Sequence, residues 1–190
     1  MDAFLTSTAI VTLAEIGDKT QLLAILLAAR FRQPLPIIAG ILVATLANHA
    51  LAALVGAQVA TLLDSAAFRY AVAFSFIAMA GWTLIPDKLD DDEAPRTRSG
   101  AFWTTLIAFF FVEIGDKTQV ATVALAAQYQ QVALVTAGTT LGMMIANVPA
   151  VFVGKALLER LNFTWVRVVA ALLFLVLGVW LALQTAGWIG

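Results

Sequence analysis

The sequence predicts an all-α, polytopic membrane protein whose six transmembrane helices form two inverted three-helix repeats. Composition is the first ground: the 190 residues are 62% hydrophobic and only 12% charged, whereas soluble domains carry about 25% charged residues. The second is an internal repeat. Glu15-Ile16-Gly17-Asp18-Lys19-Thr20-Gln21 recurs letter for letter as Glu113 through Gln119, each copy set in an almost purely apolar run. The third is arithmetic. Each half holds three apolar segments, an odd number, so the second half must enter the membrane upside down relative to the first, as in many secondary transporters.

The elements follow in chain order, on the basis that a crossing helix needs about 20 mostly apolar residues. The first span covers roughly Ala3 to Ala29 and stops at Arg30-Phe31-Arg32-Gln33-Pro34. The second runs from about Leu35 to Leu63 and the third from about Phe68 to Ile85. The only long polar stretch, Pro86 to Gly100, comes next. The fourth span starts near Ala101, the fifth near Val132, and the sixth covers about Trp165 to Ala186. The chain therefore divides into a first repeat (1–86), an acidic linker (87–100) and a second repeat (101–190). Trp82, Trp103, Trp165 and Trp188 fall near span ends, as interfacial anchors do.

A shift of 98 residues superposes the motif copies and also Gly40 on Gly138, Gly56 on Gly154, Arg69 on Arg167 and Trp82 on Trp180. Asn48 and Asn147 align one residue out of register. The glycines, with many alanines, suit close helix packing. Beyond the motif lysines there are nine Lys and Arg. Eight of them (Arg30, Arg32, Lys88, Arg96, Arg98, Lys155, Arg160, Arg167) lie in or beside the first, third and fifth connections. Only Arg69 lies on the other face. The positive-inside rule then makes the 87–100 loop cytoplasmic and puts both termini outside. The start, Met1-Asp2-Ala3, lacks the positive region of a signal peptide, so the first apolar segment is expected to remain as a membrane helix.

Several classes are excluded. A formal net charge of −1 without a basic patch implies no nucleic-acid partner. The absence of cysteine removes disulfides, thiolate metal sites and thiol redox chemistry.

The motif residues carry the chemistry. Charges deep in a hydrocarbon-spanning segment cost on the order of 2.5–3.5 kcal/mol each, so a chain that places them there twice uses them. On a continuous helix Glu15, Asp18 and Gln21 follow an i, i+3 line on one face, and Lys19 can pair with Glu15. Gly17 permits close backbone approach, or local unwinding that offers carbonyl oxygens where a cavity is lined. Glu113, Asp116, Gln119, Lys117 and Gly115 do the same from the second half. If the helices face each other, four carboxylates and two lysines sum to −2, the complement of one divalent cation. Oxygen-only donors suit Ca²⁺, Mg²⁺ and Mn²⁺. Without metal, four clustered carboxylates in low dielectric take up protons. Metal and protons thus compete for the same oxygens, which is the physical basis of an antiporter.

E-x-G-D-K-T, present once in each of two three-helix halves joined by an acidic loop, resembles the signature of the GDT-one family. These are Ca²⁺/Mn²⁺ cation–proton antiporters of Golgi, thylakoid and bacterial membranes, with manganese exporters among the bacterial members. The resemblance covers essentially the whole chain. It implies that Glu15, Asp18, Glu113 and Asp116 bind the transported cation. It also implies a compact form in a bacterial-type inner membrane, exporting Mn²⁺ in exchange for protons, with no resident cofactor and no enzymatic activity.

Further cavity candidates are Gln21, Gln119, Asn48, Asn147, Thr20 and Thr118. The threonines are ligands if the helix unwinds, but in a regular helix they point away from the glutamates and bond back to their own backbone. The two asparagines are either site residues or interhelical hydrogen-bond partners. Lys19 and Lys117 balance charge or gate the site, or form fixed structural ion pairs. His49 has no counterpart in the second half and reads as a packing or water-facing residue rather than a metal ligand. The acidic run Asp87 to Glu93 lacks the spacing and turn glycine of an EF-hand and reads as a solvated linker. The alternatives from other classes are an exporter of another small solute such as an amino acid, and a metal-dependent membrane-embedded hydrolase.

Overall fold

The computed structural model describes residues 2–62, 65–85, 100–153 and 163–189. The acidic stretch from Asp87 to Ser99, and Gly154, Lys155 and Arg160, lie outside the described residues. What is described is all-helical, with no strand. Eight helices follow in order: α1 (Asp2–Glu15), α2 (Lys19–Phe31), α3 (Pro34–Leu62), α4 (Ala66–Thr83), α5 (Ala101–Glu113), α6 (Lys117–Tyr129), α7 (Val132–Val153) and α8 (Phe163–Thr185).

Three segments, Pro34–Thr61, Val132–Val153 and Thr164–Thr185, are long and apolar enough to cross a membrane. The first and fourth expected spans are not single helices. Each breaks inside the motif, into α1 and α2 or α5 and α6. A helix of 13 or 14 residues rises only about 20 Å, short of the ~30 Å hydrocarbon layer.

Local chemistry explains both breaks. Gly17 and Gly115 sit at φ 85° and 78°, a left-handed region that side chains with a Cβ avoid. The next residue in each copy, Asp18 or Asp116, is extended and caps the following helix, accepting from the backbone N–H of Thr20 or Thr118 at 3.4 Å. Gly-Asp is therefore a stop followed at once by a start. The far ends match too. Arg32 and Gln130, equivalent at the 98-residue shift, both adopt left-handed φ values of 55° and 52° and donate to Ala28 and Ala126 carbonyls.

Packing keeps the same correspondence. α1 lies along α7 as α5 lies along α3, and α4 packs against α8. Gly40 and Gly138 make two of these contacts close. A Cβ on Gly40 would come within 2.8 Å of the Phe102 carbonyl and of Thr105. A Cβ on Gly138 would come within 2.5 Å of the Phe4 carbonyl and 3.0 Å of Ser7, the equivalent residues of the other half. Small residues at such positions let two backbones approach, which substitutes for a hydrophobic driving force in lipid.

The distribution of polarity is inside-out. Glu15, Asp18, Gln21, Asn48, His49, Glu113, Asp116, Lys117 and Asn147 are buried, whereas Leu35, Phe74, Phe111, Phe152 and Val176 are more than half exposed. Trp103, Trp165 and Trp188 are exposed as well. An apolar exterior around a charged interior is stable when lipid, not water, surrounds it.

Gly138→Val should lower stability by about 1–3 kcal/mol, because its methyl groups press on a backbone carbonyl that cannot retreat. Gly81→Ala, where an added Cβ meets nothing within 4 Å, should be neutral or stabilise by up to about 1 kcal/mol. Thermal unfolding in detergent compares the two, and equal effects would contradict the packing argument.

Candidate functional site

The two motif copies meet in the interior. One carboxylate oxygen from each of Glu15, Glu113 and Asp116 lies within 4.8 Å of the others, and all three residues are buried. Glu15 ends α1, Glu113 ends α5, and Asp116 caps the start of α6. The helix breaks bring these carboxylates together, since each turn directs the last residue of one helix and the cap of the next toward the same space. Asp18, in the mirror position of Asp116, is 1% exposed and sits close enough for its charge to act on Glu15, Glu113 and Asp116.

The lysines cross between halves. Lys117 Nζ lies 3.0 Å from Asp18 Oδ1, and Lys19 Nζ lies 3.8 Å from Asp116 Oδ1. Pairing of Lys19 with Glu15, expected for a continuous helix, gives way to this arrangement because the break at Gly17 ends the i, i+4 relation. The i, i+3 line of Glu15, Asp18 and Gln21 is lost for the same reason. The two pairs are unequal: the Lys117 side chain is 2% exposed and that of Lys19 is 18%.

The remaining candidates brace the breaks. Gln21 Oε1 accepts from the Gly17 N–H at 2.9 Å, and Gln119 Oε1 accepts from the Gly115 N–H at 2.7 Å. Each glutamine then donates across the interface, Gln21 to the Ala146 carbonyl and Gln119 to Asn48 Oδ1. Asn48 in turn donates to the Phe110 carbonyl at 3.0 Å, so it supports the second break and makes no hydrogen bond to the carboxylates. Asn147 does reach one, with Nδ2 3.5 Å from Glu15 Oε2.

Two expectations are corrected. Thr20 Oγ1 donates to Glu15 Oε2 at 2.5 Å, and Thr118 Oγ1 donates to Glu113 Oε2 at 3.3 Å and to Asp116 Oδ2 at 3.1 Å. With the helix unwound, the threonines turn toward the glutamates instead of bonding back to their own backbone. The second correction concerns His49. At the 98-residue shift its counterpart is Asn147, and the counterpart of Asn48 is Ala146. His49 is fully buried with Nε2 3.7 Å from Glu113 Oε2, the position that Asn147 holds against Glu15. Pairing the two asparagines by residue type concealed a register that the motif itself sets.

Several polar atoms in this cluster are unmatched. Glu15 Oε1, Glu113 Oε1, Asn147 Oδ1 and both ring nitrogens of His49, one of which is an acceptor in the neutral ring, are buried with no hydrogen-bond partner among the described residues. Buried acceptors left unmatched are costly. A cation bound among them would satisfy several at once. Fully ionised, the four carboxylates and two lysines would carry −2, the charge one divalent ion neutralises.

Comparison with known proteins gives consistent results. The family described as divalent cation/proton antiporter GDT1 matches residues 3–91 and 101–188. A Vibrio cholerae protein provisionally named a manganese exporter is 52% identical over 187 residues, covering 98% of this chain and 91% of its own. A GDT1-like protein of Synechocystis is 30% identical, covering 92% of this chain and 93% of its own. An Arabidopsis thaliana GDT1-like protein is 26% identical over 94% of each chain. No solved structure matches the chain.

Lys117→Met should destabilise the fold by about 3–5 kcal/mol, because it strands the buried Asp18 charge. The double variant Lys117→Met/Asp18→Asn should recover most of that loss. Lys19→Met should cost less, given its longer and more exposed pair. Thermal unfolding of the purified variants measures the order, and a larger effect at Lys19 would contradict it.

Proposed function

Because the chain belongs to the divalent cation/proton antiporter family, we propose that it exports Mn²⁺ from the cytoplasm in exchange for protons at one site shared by Glu15, Asp18, Glu113 and Asp116. Membership in that family makes it a membrane transporter and not an enzyme. Support for Mn²⁺ as cargo comes from the name of the Vibrio relative and from the oxygen-rich donor set, which suits hard divalent ions. The observation that carries the reading is the meeting of Glu15 with Glu113 and Asp116, carboxylates of both motif copies, within 4.8 Å inside an apolar shell.

Charge balance links the two fluxes. With metal bound, the four carboxylates and two lysines are neutralised. When the metal leaves, an ionised site would keep about two uncompensated negative charges in low dielectric, at several kcal/mol each. Protons taken up by the carboxylates remove that penalty. Both the loaded and the protonated states can therefore reorient, while the empty ionised state cannot, so one flux does not proceed without the other.

The proposed membrane arrangement is six crossings in two inverted repeats, 1–86 and 101–190, joined by the cytoplasmic linker 87–100. In it α1 with α2, and α5 with α6, each make one discontinuous crossing. The matching breaks at Gly17 and Gly115 support this, because broken helices at the membrane midplane are where such carriers hold their ions. Both termini face outward in a bacterial-type inner membrane, on the strength of the eight-to-one bias of basic residues between the two faces.

In proteoliposomes, Mn²⁺ uptake should acidify the opposite compartment. Asp116→Asn should cut that uptake by about tenfold or more, equivalent to ~1.4 kcal/mol of lost binding or barrier energy, with folding retained, because its pair with Lys19 is the longer and more exposed of the two. Full-rate Mn²⁺ movement without proton counterflow would instead describe a uniporter or channel. A periplasmic reporter fused after Gly190 should be active. Activity of a cytoplasmic reporter there in its place would reverse the orientation.

A further inference from the structure

We infer that His49 supplies a nitrogen ligand to the transported ion and is the residue that makes the site prefer Mn²⁺ over Ca²⁺. The inference rests on the reading of the carboxylate cluster as the cargo site and adds its basis of selectivity. His49 and Asn147 occupy equivalent places on α3 and α7, each facing the motif glutamate that ends the first helix of the opposite half, His49 at Glu113 and Asn147 at Glu15. The repeat is thus asymmetric in donor type at the point of contact. One half offers an amide, the other an imidazole.

The imidazole is not accounted for by packing. A buried histidine normally places at least one ring nitrogen in a hydrogen bond. Here the residue is fully buried and neither nitrogen has such a bond among the described residues. Nε2 is aimed at Glu113 Oε2 across 3.7 Å, too far for a good hydrogen bond. It is a suitable separation for two ligands of one ion. Metal–nitrogen and metal–oxygen bonds of about 2.0–2.6 Å place neighbouring donors roughly 3–5 Å apart. Glu113 also belongs to the three-carboxylate cluster, of which His49 is not a member, so an ion shared by Glu113 and His49 would sit at the edge of that cluster.

The donor set then decides between cargoes. Ca²⁺ and Mg²⁺ take oxygen ligands, and an all-oxygen site ranks Mn²⁺ little above them. First-row transition ions also accept imidazole nitrogen. A single imidazole among carboxylate and amide oxygens therefore raises the preference for Mn²⁺. It stops short of the several imidazoles or thiolates that would hold Zn²⁺ or Cu²⁺ too tightly for a carrier to release.

His49 is the only histidine in the chain, which makes a direct test available. Full-length protein without a polyhistidine tag, labelled with ¹⁵N-histidine and loaded with Mn²⁺ in detergent, should give an imidazole nitrogen coupling in pulsed electron paramagnetic resonance. The coupling should vanish in His49→Asn. In proteoliposomes, His49→Asn should lower Mn²⁺ flux roughly tenfold relative to Ca²⁺ flux. If His49→Asn does not fold, Asn147→His serves in its place, and the Mn²⁺ preference should rise. Bound Mn²⁺ with no nitrogen coupling, or an unchanged Mn²⁺-to-Ca²⁺ ratio in the variant that folds, would overturn the inference while leaving the cargo site intact. Failure of the unaltered protein to bind or move either ion would instead refute the cargo site, and the inference with it.

Discussion

The structure depends on compensation of buried charge across the two halves. Each motif copy brings two buried carboxylates and one lysine to the same interior region, and neither copy balances itself. The crossed pairs, Lys117 with Asp18 and Lys19 with Asp116, join α6 to the break before α2 and α2 to the break before α6. Separating the halves would strand an aspartate and a lysine on each side, at several kcal/mol per buried charge. The glycine contacts of α3 on α5 and α7 on α1 bring the backbones close enough for the pairs to form.

The same compensation needs the helix breaks. On an unbroken helix each lysine would lie over the glutamate of its own copy, and the charges would be satisfied locally. Gly-Asp ends one helix and caps the next, which turns the glutamate and aspartate into a common space and sends the lysine to the opposite half. The glutamines fasten each break from within, by accepting from the glycine N–H and donating across the interface. The halves are related but not identical. Lys117 is enclosed where Lys19 is partly open, and a histidine stands where the other half has an asparagine.

Much of this was legible in the sequence. The apolar composition and the repeated motif pointed to an all-helical membrane chain with charged residues buried inside it, and the matched glycines Gly40 and Gly138 marked equivalent close contacts. The breaks were only half legible. Gly17 admitted unwinding, yet i, i+3 and i, i+4 spacing assumes a continuous helix, and that assumption misdirected Lys19 and the threonines. Whether a glycine bends or continues a helix depends on what packs against it, and no local pattern records that. His49 was missed for another reason. Its partner is defined by register, and residue type drew attention to the asparagines one position out of step.

The central claim is that both motif copies build one binding site. Titration of the purified chain with Mn²⁺ tests it most directly, by heat or by electron paramagnetic resonance. The account predicts one ion per chain, with binding lost to a similar degree in Glu15→Gln and in Glu113→Gln. Two ions per chain, or a variant of one copy that still binds an ion at full affinity through the other, would contradict it.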